Sequence, residues 1–373
     1  MKALLLIAAL VAGAISAPAT VQDAELTLRP TTTAQLLAGI VPPPGDRVAD
    51  RLAALEGWKE QRQWMEAQWN QVRQRLSAIE QWRAQEVGMH EAQNKTLLYP
   101  FSGPDFLNAY ALAPDHARYI FFGLERPGNL PTLESLTDQQ FVELLQDARS
   151  AMRDIFQRNY FITSYMTKQL TTPRITGTIP IIATMMALMN LRIVKIESVD
   201  LFPELTRAYE KPGANRPRKL LRGARIEFVN PQRGTPQQLY YFSLDATDRA
   251  LEFYPGFLDW MGRNQPATAL LKSASYLLHD NQFAKTRAML LASADIVIQD
   301  DTGIPYRLLA RSPWQVRLYG KYARPIEPLH YGYQPDLEAA YGAQPDAPIL
   351  PFPFGYHWRS QQSGLLIATR ERN

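Results

Sequence analysis

The sequence predicts an α/β protein: a mostly parallel sheet with helices on both faces and antiparallel additions, preceded by a long N-terminal helix. Three observations carry this expectation. Strand-like and helix-like segments alternate over residues 94–373, the order of a sheet wound with crossover helices. The early strand candidates, such as "ARYIFFGLE", are apolar almost throughout, as strands covered on both faces are. Ahead of them, residues 47–90 are rich in Glu, Gln, Arg, Ala and Leu and contain no proline, so they read as one helix.

Residues 1–19, "MKALLLIAALVAGAISAPA", place Lys2 before an apolar run and small residues after it. This is the pattern of a secretory signal peptide, with cleavage expected after Ala17 or Ala19. Residues 20–46 carry "PTTT" and "VPPPGD", and consecutive prolines favour extended geometry, so this stretch reads as a Thr/Pro-rich tether. Within 47–90, Met65, Val72 and Ile79 recur every seven residues with Trp69 and Leu76 offset, giving a narrow apolar stripe. Trp58, Trp64 and Trp82 add more apolar area than a solvated helix needs. Two readings stay open: packing on the globular domain, or a coiled coil for a partner or a second copy.

Further along, "KTLLYPF" reads as a strand, "PDFLNAYAL" as a helix and "ARYIFFGLE" as a second strand. The segment from Thr137 to Leu170 opens with a Thr-Asp cap and continues as helix. "IPIIATMMALMNLRIV" reads as a buried helix running into a third strand, because Asn190 and Arg192 interrupt it well short of a membrane span. "ARIEFVNPQRGTPQQLYYFSLD" has the Pro/Gly turn of a hairpin. "PATALLKSASYLLHDNQFAKTRAMLLASA" suggests two helices broken at Asp280-Asn281. "DIVIQDD", "PWQVRLYGKYA" and "SGLLIATRE" read as closing strands.

Bulk properties exclude several functions. The 373 residues include no cysteine, so an exported chain must rely on its core, without disulfides, thiolate metal sites or a cysteine nucleophile. A formal charge of +4 at this length makes no case for nucleic acid. The five histidines have no ligand spacing, and "HEAQN" lacks the second histidine of a zinc helix, so no metal site is expected. Neither a phosphate loop nor a dinucleotide glycine triplet is present, so no cofactor is named. The basic run from Lys211 to Arg225 reads as a solvated loop able to meet anionic envelope polymers or lipid heads. "PFPFGYHWRS" packs on a sheet edge or stacks on sugar rings.

In an open, Rossmann-like sheet, ligands bind beyond the carboxyl ends of the strands. Those ends carry Ser102-Gly103-Pro104-Asp105, Glu125, Asp200 and Gln299-Asp300-Asp301-Thr302-Gly303. If the strands run side by side, these groups share one rim. The turn at Ser102 has three readings. It is a corner, with Pro104 at the first helical position. It is a ligand cradle of Ser102, Gly103, Asp105, Glu125, Gln299, Asp300 and Asp301, using free helix N–H groups. Or it presents a nucleophile, Ser102, with His279 and Asp300 completing a triad. The context F-S-G-P-D lacks the G-x-S-x-G elbow. His279 also suits a helix C-terminus. Asp300-Asp301 before Thr302-Gly303 is a turn signal as well as a set of cation ligands with Glu125.

On "YPFSGPDFLNAY", "FFGLERPG", "LLKSASYLLH", "IQDDTGIPY" and "FGYH", the chain resembles an uncharacterised family of bacterial secreted proteins. The likeness covers about Lys95 to Asn373 and implies a coherent domain without a mechanism. More loosely, the strand, turn, helix and acid-ended second strand are similar to the nucleotide-binding half of class I methyltransferases, with Ser-Gly-Pro-Asp replacing the glycine-rich turn. That likeness bears on architecture alone. Two functions follow as expectations. One is an exported periplasmic or secreted protein that binds a ligand or partner at the rim around Ser102, Glu125 and Asp300. The other is an exported hydrolase using Ser102, His279 and Asp300, or a cation on Asp300, Asp301 and Glu125.

Overall fold

The structure, a computed structural model, describes residues 21–86, 95–198, 221–264, 267–358 and 363–371. The expected signal peptide, Asp200 and most of the basic run lie outside the described residues. Nine strands form one mixed sheet in the order β3-β4-β5-β2-β1-β6-β7-β9-β8. They are β1 Thr96–Pro100, β2 Arg118–Gly123, β3 Arg192–Ser198, β4 Arg222–Val229, β5 Pro236–Ser243, β6 Ala267–Leu271, β7 Ala294–Gln299, β8 Trp314–Gly320 and β9 Gly364–Arg370. The five central strands, β5-β2-β1-β6-β7, are parallel neighbours. Antiparallel pairs flank them, β3-β4 and β4-β5 on one side, β7-β9 and β8-β9 on the other. The expectation of a mostly parallel sheet is therefore corrected to a mixed one with a parallel centre.

Both faces are covered, and the period-two alternation of the strands sorts the core into two. Leu97, Tyr99, Tyr119 and Phe121 enter one cluster; Leu98, Ile120 and Phe122 enter the other. The first face carries α1 (Val21–Leu37), α2 (Arg47–Ala53), α3 (Glu56–Glu86), α4 (Phe106–Leu112), α5 (Asp138–Arg158), α6 (Thr163–Gln169) and α7 (Ile179–Leu188). On the second face lie α8 (Asp248–Leu251), α9 (Pro255–Gly262) and α10 (Ala284–Ser293). The capping box predicted at Thr137 forms, with Thr137 accepting from the Gln140 amide and Gln140 from the Thr137 amide. The expected single helix from Thr137 to Leu170 breaks at Asn159, whose left-handed backbone (φ 66°) ends α5.

Three other expectations change. The tether at 20–46 is largely helix: α1 runs to Leu37, and Ala34, Leu36, Leu37 and Ala38 are buried against α7 and β3. Thr31 Oγ1 accepts from the Ile193 amide at 3.0 Å and donates to its carbonyl at 2.9 Å, tying α1 to an edge strand. The expected long N-terminal helix is present as α3, with the short α2 split off at Ala54-Leu55 and residues 87–90 outside the described ones, and its apolar stripe is spent inside the chain. Trp58, Met65, Val72, Leu76, Ile79 and Trp82 are buried, Trp64 stacks on Phe156 at 5.9 Å, and Trp82 meets Tyr319 edge-on at 5.1 Å. The predicted seam faces α4 and α5. Finally, Ala267–Leu271, expected as helix, is a fully buried central strand between β1 and β7.

The burial of α1 makes a definite claim. Leu37 is inaccessible to solvent, and its carbonyl accepts a 2.6 Å hydrogen bond from Gln61 Nε2. Leu37→Ala is expected to lower unfolding free energy by about 2–5 kcal/mol in urea denaturation, whereas a tether residue would move it by a few tenths.

Candidate functional site

The parallel register puts the carboxyl ends of β1, β2, β6 and β7 on one rim, so Ser102, Glu125, Lys272 and Asp300 emerge on the same side of the sheet. The chain continues outward along β2 and β5 on one side of β1, then returns to add β6 and β7 on the other. The change of direction falls between β1 and β6, the position where open α/β sheets leave a crevice.

That crevice holds a buried ion pair. Lys272 Nζ, just past β6, donates to Asp105 Oδ2 at 2.9 Å, and the two side chains are 1% and 2% exposed. Asp105 also accepts from Tyr99 Oη at 2.9 Å and from Asn108 Nδ2 at 2.8 Å, and it caps α4 through the Asn108 amide at 3.3 Å. Lys272 donates a second bond to the Asn159 carbonyl at the end of α5. Asp105 is therefore the N-cap and Phe106 the first helical residue, where Pro104 was expected. The capping carboxylate occupies the helix start that the cradle reading reserved for an anion. Beside it, Tyr99 is raised well above the usual phenol range by burial and by the Asp105 charge, so it stays a donor.

The remaining rim groups are engaged in the same way. Ser102 Oγ, itself buried, donates to the Gly103 carbonyl at 2.9 Å. Gly103 adopts φ 52°, and a Cβ there would lie 2.8 Å from Met166 Sδ of α6, so the turn needs glycine for both reasons. Asp300 accepts from the Ser273 amide at 2.8 Å and from the Thr302 amide at 2.9 Å, with the Thr302 hydroxyl donating to it as well. Thr302 Oγ1 in turn accepts from the Ala274 amide at 2.7 Å. Gly355 closes over this carboxylate so tightly that a Cβ would meet Asp300 Oδ2 at 2.2 Å. Gln299 is folded back on its own loop, bonded to both the amide and the carbonyl of Ile304 at 2.8 Å. Asp301 accepts from Tyr276 Oη, and its carbonyl from Gln334 Nε2 at 2.7 Å. Glu125 takes a long 3.3 Å bond from Tyr241 Oη, and burial pushes its carboxyl up from the ordinary range.

The loop from Ser273 to Tyr276 is backbone-strained, with Ser273, Ser275 and Tyr276 at φ between 51° and 56°. Non-glycine residues hold that region at a cost of order 1–3 kcal/mol each and need surrounding contacts to persist. Those contacts are the Asp300 and Thr302 bonds, Tyr356 Oη donating to the Ser273 carbonyl at 2.8 Å, and a 2.7 Å bond between Tyr356 and Ser275. The five stretches that suggested the family resemblance thus meet at one rim, chiefly to hold one another.

No hydrogen bond among the described residues joins Ser102, His279 and Asp300. His279 packs edge-on against Tyr276 at 5.2 Å, and burial lowers it to about 4, which keeps the imidazole neutral. Among the described residues no group of three or more His, Asp or Glu side chains is arranged to hold a metal ion, so Glu125, Asp300 and Asp301 do not gather as a cation site. A cavity of about 10 Å³ lies beside Asp300, Asp301 and His357, room for one water molecule. Sequence reading missed Lys272 because "ATALLKSAS" read as helix, and Asn159 because it lay inside one long helix, while Tyr99 read as an ordinary strand residue; a lysine ending an apolar run, opposite an Asp-capped turn, was the available signal.

The open volume lies further along the rim. Segment Arg126–Gly128, directly after Glu125, crosses Thr176–Thr178: the Thr178 amide donates to the Arg126 carbonyl at 3.0 Å and the Ile179 amide to the Pro127 carbonyl at 2.8 Å. A Cβ on Gly177 would sit 2.3 Å from the Arg126 carbonyl, so only glycine allows the crossing. Clefts of about 370 and 360 Å³ flank it and share Asn129 and Thr176. Both fall within the ~300–1,000 Å³ of small-molecule sites. Comparison with protein families, curated proteins and solved structures returned no match.

Two predictions follow from the rim chemistry. Lys272→Met leaves Asp105 charged and unpaired in the core and is expected to cost about 3–5 kcal/mol in chemical denaturation. Adding Asp105→Asn, which keeps the cap and an acceptor for Tyr99, should recover most of that loss. Separately, burial and the Asp300 charge push Asp301 up to about 7. An acid bound more tightly to its proton in the folded state loses stability as pH rises from its unfolded value of about 3.9. Asp301→Asn should therefore raise Tm relative to wild type by an amount that grows from pH 4 to pH 7 and then levels off.

Proposed function

We propose that this chain is an exported, envelope-associated binding protein built on a Rossmann-like domain, taking a ligand or partner at the carboxyl rim of its sheet without turning it over. The Rossmann-like reading is supported by the order of the parallel strands, which, numbered along the chain, is third, second, first, fourth, fifth, with antiparallel pairs added at both ends. Export rests on the leader-like residues 1–19.

One observation carries the binding reading over the hydrolase: the acidic and hydroxyl groups of the central rim are spent on the protein's own donors and acceptors. For Ser102 to act as a nucleophile it would have to exchange the Gly103 carbonyl for a base, and Asp300 would have to release two amides to orient a histidine. The likeness to methyltransferases is taken as architecture, because Lys272 and Asp105 fill the crevice at the change of strand direction. The open clefts beside Glu125 are then the natural seat.

Esterase, phosphatase and glycosidase substrate panels on wild type, Ser102→Ala and Asp300→Asn test this. No turnover above buffer is expected in any of the three. Turnover by the wild type that falls about 100-fold or more in Ser102→Ala, the usual scale for loss of a catalytic group, would replace the binding reading with the hydrolase.

A further inference from the structure

The two clefts differ in chemistry in a way that specifies an occupant. The first is lined by Arg126 and Arg222, whose guanidinium groups make no ion pair or hydrogen bond among the described residues. Both are exposed, and the register Arg222↔Ser243 brings Arg222 to the same rim as the end of β2. The acid in this cleft, Glu197, is already met by Lys195 and Arg225, whose hydrogen bonds lower its pKa. Among the described residues that line it, positive charge is therefore unbalanced. The second cleft presents Leu130, Pro131, Leu136 and Pro173 beside Thr132 and Gln140, and its own cation, Arg174, is spent on Glu143 and Asp147. Asn129 and Thr176 line both, so one molecule can lie across the two.

We propose that this groove binds a single-chain anionic amphiphile, with its carboxylate or phosphate head on Arg126 and Arg222 and its hydrocarbon chain over Leu130 and Leu136. Guanidinium forks match such heads in geometry and charge. The apolar wall gains from covering a chain that water would otherwise hydrate. The glycine crossing at Gly128 and Gly177 fixes the floor between the two halves, so little ordering is needed on binding. This assignment rests on reading the rim as a binding surface and goes further by naming the ligand class.

Isothermal titration of the purified protein with decanoate below its micelle concentration tests it, with decanol and acetate as the neutral and chainless controls. Saturable one-to-one binding of decanoate is expected, with each control at least tenfold weaker. Arg126→Ala and Arg222→Ala should each weaken decanoate about tenfold, the worth of one charge-assisted contact. Leu136→Asp should weaken it similarly, and unchanged thermal melting will show that all three variants are folded. Absence of saturable binding, equal binding of decanol, or indifference to both arginine variants would overturn the proposal. If another ligand shifts the backbone amide resonances of Asn129 and Thr176 while decanoate does not, the ligand class is wrong and the rim reading stands.

Discussion

The Lys272–Asp105 pair is the constraint on which the rim depends. Two charges withdrawn from water carry a desolvation cost of several kcal/mol each, and only near-complete hydrogen bonding offsets it. Asp105 meets that demand with Lys272, Tyr99 and Asn108, while Lys272 adds the Asn159 carbonyl. The partners come from different elements: Tyr99 from β1, Asn108 from α4, Lys272 from the end of β6 and Asn159 from the end of α5. The pair therefore fixes where four segments stop. With Lys272 held, the strained residues after it have one available path, and Ser273 and Ala274 deliver their amides to Asp300 and Thr302. A slack Lys272 would remove the anchor that keeps three left-handed residues in place.

The same logic explains the N-terminal shell. The sheet's first face is broad, because antiparallel strands extend it at both ends, and α4, α5 and α7 do not cover it alone. α3 spans the gap, and its tryptophans and aliphatic stripe supply the missing apolar area. Its far end is secured by Glu86, which accepts from Tyr319 Oη at 2.8 Å and pairs with Arg317 of β8. α1 covers the opposite edge through Thr31. Exposed strand edges invite pairing with other chains, and here one edge is closed by a side-chain hydroxyl while the other carries charge.

How much of this was legible follows from what sequence can encode locally. β1, α4, β2, α7, the β4–β5 hairpin, β7, β8 and β9 announce themselves through alternation, capping and turn residues, and the structure places them there. β6 does not, since a five-residue apolar run has no period that separates strand from helix; its neighbours β1 and β7 decide it. The tether was misread because Pro30 and "VPPPG" dominate the local signal, whereas α1 is fixed by burial against segments more than 100 residues away. Strand direction sufficed to bring Ser102, Glu125 and Asp300 to one rim. Whether their side chains face ligand or protein was not legible, because it depends on Lys272, Tyr241 and Ser273, whose approach only the tertiary fold creates.

A crevice closed by the chain's own charges changes where such a domain is able to bind. In an open α/β sheet the helix N-terminus after the first strand attracts an anion because its amides are unsatisfied. Here Asp105 takes the Asn108 amide and Lys272 neutralises Asp105, so that end of the rim presents little field. Moving outward along β2, Glu125 turns in toward Tyr241 while Leu124 and Arg126 turn out. The sign of the rim therefore changes within two residues, from buried acid to exposed base. Arg222, brought alongside by the antiparallel hairpin, doubles that positive charge at a point where the parallel sheet alone would have ended. The antiparallel extension is what carries the proposed binding surface, and the central parallel strands are what hold it in place.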